Sequence, residues 1–281
     1  MTPVSNYLLR RAFELRRWIK WVVYTLLLIN FGYYAWEEWV IAAHTLRESS
    51  TLLDLGSAFS ASLEELAWFL LLALFELETY VLSDEALTPR VQRTLHLARI
   101  AAYLLLAHTL YQYTIYGVDL ERKVTELPEV TSLCDLDGQE ASFTSNMRYT
   151  TIDSQNCEEL STASVFYEVI VEGVVTDPKG LTIEKQLAWV DVIELSVWLL
   201  IILTIEIDIR LQNRDIVGGS LMHAANVSKA VLYGTLFLVM AYWALRHQWV
   251  YVWDEFVWIA GFAVIEMNVK EWRDELTGET T

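Results

Sequence analysis

The sequence predicts an all-α polytopic membrane protein: six transmembrane helices forming three repeated helical hairpins, with a small β-rich extracytoplasmic insert. Three observations lead there. The composition is too apolar for an ordinary soluble domain, six stretches are long and apolar, and one polar pattern recurs on three of those stretches.

The chain has 281 residues, of which 54% are hydrophobic and 20% charged, with mean hydropathy +0.30. Soluble domains sit nearer 45–50% apolar and about 25% charged. The 12 Trp, 14 Tyr and 10 Phe suit membrane interfaces. A net charge of -17 gives no basic face for nucleic acid.

A helical span needs about 20 mostly apolar residues. The expected spans are Trp18–Ala43, Leu63–Leu82, Leu95–Tyr116, Leu187–Ile209, Val227–Leu245 and Trp249–Val269. Residues 1–17 form an amphipathic, Arg-rich start, with Arg10, Arg11, Arg16 and Arg17 ahead of the first apolar run. That run is too long for a cleavable signal and lacks a small-residue cleavage site. Residues 18–116 hold the first three expected spans, 187–269 the last three, and 270–281 a tail. With both termini cytoplasmic, 13 of the 20 Lys and Arg fall inside, as the positive-inside rule requires. The expected location is a plasma membrane or bacterial inner membrane.

Residues 117–186 form the extracytoplasmic insert. They carry 14 acids and 5 bases, a net charge of -9. Val165–Val175 is β-branched and aromatic and predicts a strand, with Ala141–Ile152 as a weaker partner. Asp177-Pro178-Lys179-Gly180 predicts a turn. Cys134 and Cys157, the only two cysteines, both lie here and predict a disulfide in an oxidising compartment.

The second, fourth and sixth stretches share a pattern: Glu64, Trp68, Glu76, Glu78; then Glu194, Trp198, Glu206, Asp208; then Asp254, Trp258, Glu266, Asn268. The odd stretches share a base and a Tyr one turn on: Lys20 and Tyr24, Arg99 and Tyr103, Lys229 and Tyr233. One hairpin used three times accounts for both patterns, with the insert inside the second copy.

A charge deep in a bilayer costs about 2.5–3.5 kcal/mol on the insertion scale, so buried carboxylates need compensation. On a helical wheel the Trp lies 40° from the outer acid, the deep Glu 120°, and the last position -40°. Glu76, Glu206, Glu266, Glu78, Asp208 and Asn268 are therefore candidates to line an ion path. Glu64, Glu194 and Asp254 would form its outer mouth; they and Glu65, Asp191 and Glu255 sit near the outer interface, where any one of the six taken alone reads as a solvated rim. Lys20, Arg99 and Lys229 would be counter-charges, and Trp68, Trp198 and Trp258 a constriction or packing residues.

The expected function is movement of cations or protons, as a channel or coupled carrier. The alternative is a non-transporting sensor, scaffold or accessory subunit whose acidic outer domain binds a partner and whose inner charges are structural ion pairs. The expected partners are the lipid bilayer, cations, and a second copy or another membrane protein. No phosphate loop, Ser-His-Asp spacing or HExxH motif points to an enzyme, a metal or a cofactor.

Overall fold

The computed structural model describes residues 3–47, 50–78, 82, 86, 88–212 and 219–262, with side-chain environments beginning at Trp18. Its helices are α1 (Pro3–Thr45), α2 (Leu52–Ala58), α3 (Ser60–Glu76), α4 (Pro89–Arg122), α5 (Cys157–Leu160), α6 (Pro178–Gln212), α7 (Ser220–Leu245) and α8 over 249–262. The strands are β1 (Thr125–Glu126), β2 (Ser142–Ser145), β3 (Arg148–Thr151), β4 (Tyr167–Glu168) and β5 (Val174–Thr176). Two compact units divide the chain, one of residues 1–32 with 194–281 and one of residues 33–193.

The structure overturns the all-α, six-span bundle. Among the described residues one helix, α7, is long and apolar enough to cross a membrane. A second arises only if α2 and α3, bent by 74° at Phe59, count as one span. The other expected spans are diluted by charge and polarity. The first holds Lys20, Glu37 and Glu38, and the third holds Arg99, His96, His108 and Gln112. The fourth holds Asp191, Glu194, Glu206 and Asp208. The sixth continues past residue 262 and beyond the described residues, as does the expected 270–281 tail.

The helices nevertheless keep a strict inward periodicity. On α7 the buried residues are Met222, Ala225, Leu236, Val239 and Trp243. With Lys229 and Leu232 they step by threes and fours, the seam of a helix packed along one face. On α4 the corresponding row is Leu95, Ala102, Leu106, Thr109, Gly117 and Leu120, and Arg99 and Tyr113 fall in register with it. Each row thus carries polar groups inward, while Leu104, Leu238 and Phe237 stand exposed on the outward faces.

The second unit contains a mixed five-stranded sheet of order β1-β4-β5-β2-β3, in which β2 and β5 are parallel and the other pairs antiparallel. The single expected strand over Val165–Val175 is two short strands. A turn closed by Val174 N–H to Val171 O separates them, and Gly173 sits there at φ +76°. Ala141–Ile152 folds as the β2–β3 hairpin, turning on Asn146 and Met147, both at positive φ. The expected Asp177–Gly180 turn is the start of α6: Asp177 Oδ1 accepts the Gly180 N–H at 2.7 Å, and Pro178 occupies the first helical position.

The Cys134–Cys157 disulfide is present. Around it lie Leu133, Leu136, Phe143, Ile152, Phe166 and Val175, a core too small to be self-sufficient without a staple. A second cluster, Leu120 of α4, Val169 and Val174 of the sheet, and Ala188 of α6, seats the sheet on the helices. The Trp189 ring packs flat on Gly117, 3.5 Å from where a Cβ would stand. From the end of α1, Arg47 Nη2 donates to Glu172 O at 2.9 Å. His44 Nδ1 lies 2.8 Å from Ser142 Oγ and its ring stacks on Tyr149.

Candidate functional site: carboxylates on the inward helix faces

In the second unit, α3 packs antiparallel against α4 through two polar contacts. Tyr113 donates to Glu64 Oε2 at 3.0 Å, and Trp68 Nε1 to the other oxygen at 3.2 Å. At the far end Arg99 Nη2 meets Glu78 Oε2 at 2.6 Å. Fourteen residues separate Glu64 from Glu78, so the contacts stand about 21 Å apart along the helix.

In the first unit, α6 and α7 repeat the arrangement. Trp243 Nε1 donates to Glu194 Oε2 at 2.8 Å, and Lys229 Nζ meets Asp208 Oδ2 at 2.8 Å. The separations in sequence are identical in the two pairs: 49 residues for the indole or phenol contact and 21 for the ion pair. The remaining copy runs between α8 and α1, where Asn30 Nδ2 donates to Asp254 Oδ1 at 2.7 Å. Glu266, Asn268 and the Lys20 side chain lie outside the described residues.

These contacts decide which acids the bases meet and correct the place of the insert. The recurring unit is an acidic stretch followed by the next basic one, so the β insert lies between copies and not within one. The bases meet Glu78 and Asp208, not Glu76 and Glu206. The wheel gives the reason: the facing stripe runs from -40° to 40°, and the deep Glu at 120° falls off it. Glu206 pairs instead with Arg210 of its own helix at 3.4 Å, and the Glu206 side chain is 42% exposed. Glu76 is half-buried.

The outer acids are not a solvated rim either. Glu65, Asp254 and Glu255 are buried, Glu255 to 2% exposure. Trp198 Nε1 donates to Glu255 Oε2 at 3.2 Å, joining α6 to α8. Glu194, one turn before Trp198 on α6, is a close carboxylate neighbour of Glu255. The three patterned tryptophans are packed: Trp68, Trp198 and Trp258 are all buried, and Trp198 and Trp258 both contact the Phe262 ring.

Three working residues had no place in the sequence pattern. Glu38 of α1 accepts the Ala61 and Ser62 N–H groups at 2.7 and 3.0 Å, placing a carboxylate on the start of α3. Asn30 holds Asp254. Glu184 of α6 is buried beneath the β2–β3 turn and accepts the Met147 N–H at 3.3 Å. Burial pushes the Glu184 carboxyl above its usual range, against the pull of the Met147 and Asn146 N–H groups. Burial likewise raises the neighbouring Tyr149 phenol, helped by the Glu184 charge. The only available signal for Glu38 and Asn30 was a polar residue in an apolar run.

Among the described residues no group of three or more His, Cys, Asp and Glu is arranged to hold a metal ion. No known protein family, curated protein or solved structure matches this chain.

Proposed function

We propose that the protein is a membrane-anchored, non-transporting sensor, scaffold or accessory subunit. In this reading α7 is the membrane segment, the disulfide-closed acidic domain binds a partner, and the inward charges are structural ion pairs. The observation that carries it is the pairing of Arg99 with Glu78 and of Lys229 with Asp208. Carboxylates committed to protein donors fix helix register. They do not present a row of free ligands to a passing ion.

Three further features support the reading. The apolar stretch of α7 is only 11% buried, unlike the core helix of a soluble protein, so its surface asks for lipid or a protein partner. The disulfide fits an oxidising side of a plasma or bacterial inner membrane. Exposed acids on the insert, among them Glu126, Glu129, Asp137, Glu140, Glu158 and Glu159, give it a negative field suited to a basic partner surface.

The test is flux through liposomes holding the purified protein, measured for Na⁺, K⁺, H⁺, Mg²⁺ and Ca²⁺. The expected result is no flux above empty liposomes. A flux that Glu78→Gln or Asp208→Asn abolishes overturns the proposal and restores cation or proton movement as the function.

A further inference from the structure

We propose that Glu194 of α6 and Glu255 of α8 hold one proton between them, forming a proton-binding site within the first unit. This goes beyond the proposed scaffold or sensor role, which requires no titration.

The argument is one of donors and acceptors. Glu255 is 2% exposed, and its Oε2 takes the Trp198 indole N–H at 3.2 Å. Its other oxygen, Oε1, is buried with no donor. Glu194 Oε2 takes the Trp243 indole N–H at 2.8 Å. The side chain that stands beside Glu255 from α6, one turn before Trp198, is Glu194, itself an acceptor when ionised. Two ionised carboxylates cannot satisfy one another, because neither carries a hydrogen. One proton placed between them supplies the missing donor and removes a like-charge repulsion inside protein.

Among the described residues the groups around the pair are a further acid, an amide and aromatic donors. Asp254, the residue before Glu255 on α8, adds a further negative charge, and it accepts from the neutral amide of Asn30 on α1. From α6 and α7 the donors are indoles, and Tyr251 of α8 packs its ring on Trp243. Arg246, just past α7, donates Nε to Tyr242 at 3.1 Å and lies over that ring. The α3–α4 copy shows the contrast. There Glu64 receives a donor on each oxygen, Trp68 on one and Tyr113 on the other, and its charge is satisfied without a shared proton.

The experiment is infrared difference spectroscopy on the purified full-length protein in nanodiscs across a pH titration. A protonated-carboxyl carbonyl band is expected at neutral pH, disappearing as pH is raised. Glu194→Gln and Glu255→Gln should each remove it, and Glu64→Gln should leave it unchanged. Should either Gln variant fail to fold, Glu255→Leu serves in its place. The position one residue after Glu194 on α6 is already Leu195, 1% exposed, so an apolar side chain is accommodated at that point of the repeat. A band absent at neutral pH, or retained at full strength in both Gln variants, overturns the proposal. So does a band erased at constant pH by Na⁺ or K⁺, which would make the site one for an alkali cation.

Discussion

Lys229 Nζ and Asp208 Oδ2 lie 2.8 Å apart with their side chains 13% and 1% exposed, whereas Arg99 and Glu78, at the equivalent place in the α3–α4 pair, are each 33% exposed. The same contact is thus made twice in different surroundings, and burial decides its worth. Removing one partner of a buried pair strands a charge, at a cost of about 3–5 kcal/mol. Removing one partner of a hydrated pair costs about 0–1 kcal/mol. Asp208→Ala is expected to destabilise strongly and Glu78→Ala weakly, read from thermal or denaturant unfolding in detergent. The double variant Asp208→Leu with Lys229→Met should recover most of the loss. Equal effects of the two single variants would contradict this account.

The disulfide closes a loop of 23 residues around the Leu133–Phe166 core. Cross-links of this size stabilise by about 3 kcal/mol through the unfolded chain. Cys134→Ser with Cys157→Ser should open the insert to limited proteolysis between β1 and β5 while leaving the helical circular dichroism signal nearly intact. Resistance to protease equal to that of the parent protein would show that the core stands without its staple.

These contrasts show where the sequence was legible. The acid–Trp spacing located the facing stripes, because a 3.6-residue period survives any environment. The disulfide was readable because there were only two cysteines. The six-span bundle was not, because apolar runs interrupted by Glu37, Glu38, Asp191 and Glu206 score as spans only when their charges are ignored. Asp177–Gly180 misled because Asp-Pro opens helices as readily as turns. The juxtaposition of Glu194 and Glu255 depends on how α6 and α8 pack, which no local pattern encodes.

Glu184 sets a pH dependence whose sign can be worked out. Its carboxyl is raised in the folded protein by burial, so the folded state holds a proton that the unfolded state has already released. Stability attributable to this group is therefore greatest at low pH and declines as pH rises from the ordinary carboxyl value through the raised one. Glu184→Gln should flatten that decline. A chemical-denaturation series across acid to neutral pH, followed by the near-ultraviolet signal of the insert, would read it. A variant with a slope identical to the parent's would assign the dependence elsewhere.

Gly180, in the first turn of α6, has no room for a side chain. An added Cβ would overlap Thr176 Oγ1 and stand 3.2 Å from Thr144 O. Those two atoms already bond each other, Thr176 donating at 2.7 Å, and that bond fastens β5 to β2. Gly180→Ala should cost about 1–3 kcal/mol, the usual penalty for overpacking a filled site. Thr176→Ala in the same background should relieve the clash only in part, since it removes the hydroxyl but leaves Thr144 O close by and without its donor. Measured stabilities of the two single variants and the double would separate crowding from the lost hydrogen bond.

The membrane assignment of α7 rests on its outward face and can be tested there. Leu221, Val227, Val231, Phe237, Leu238 and Leu245 are exposed on this helix, while Leu236, Val239 and Trp243 are buried against protein. A charge placed mid-helix on the lipid side costs about 2.5–3.5 kcal/mol on the insertion scale. Phe237→Arg and Leu238→Arg together should therefore shift the protein from the alkali-resistant membrane fraction to the soluble or aggregated one. Leu245→Arg, at the helix end, should leave it in the membrane, because a terminal Arg can reach the interface. If the mid-helix pair remains as firmly embedded as the terminal variant, the exposed face of α7 meets a protein partner and not lipid.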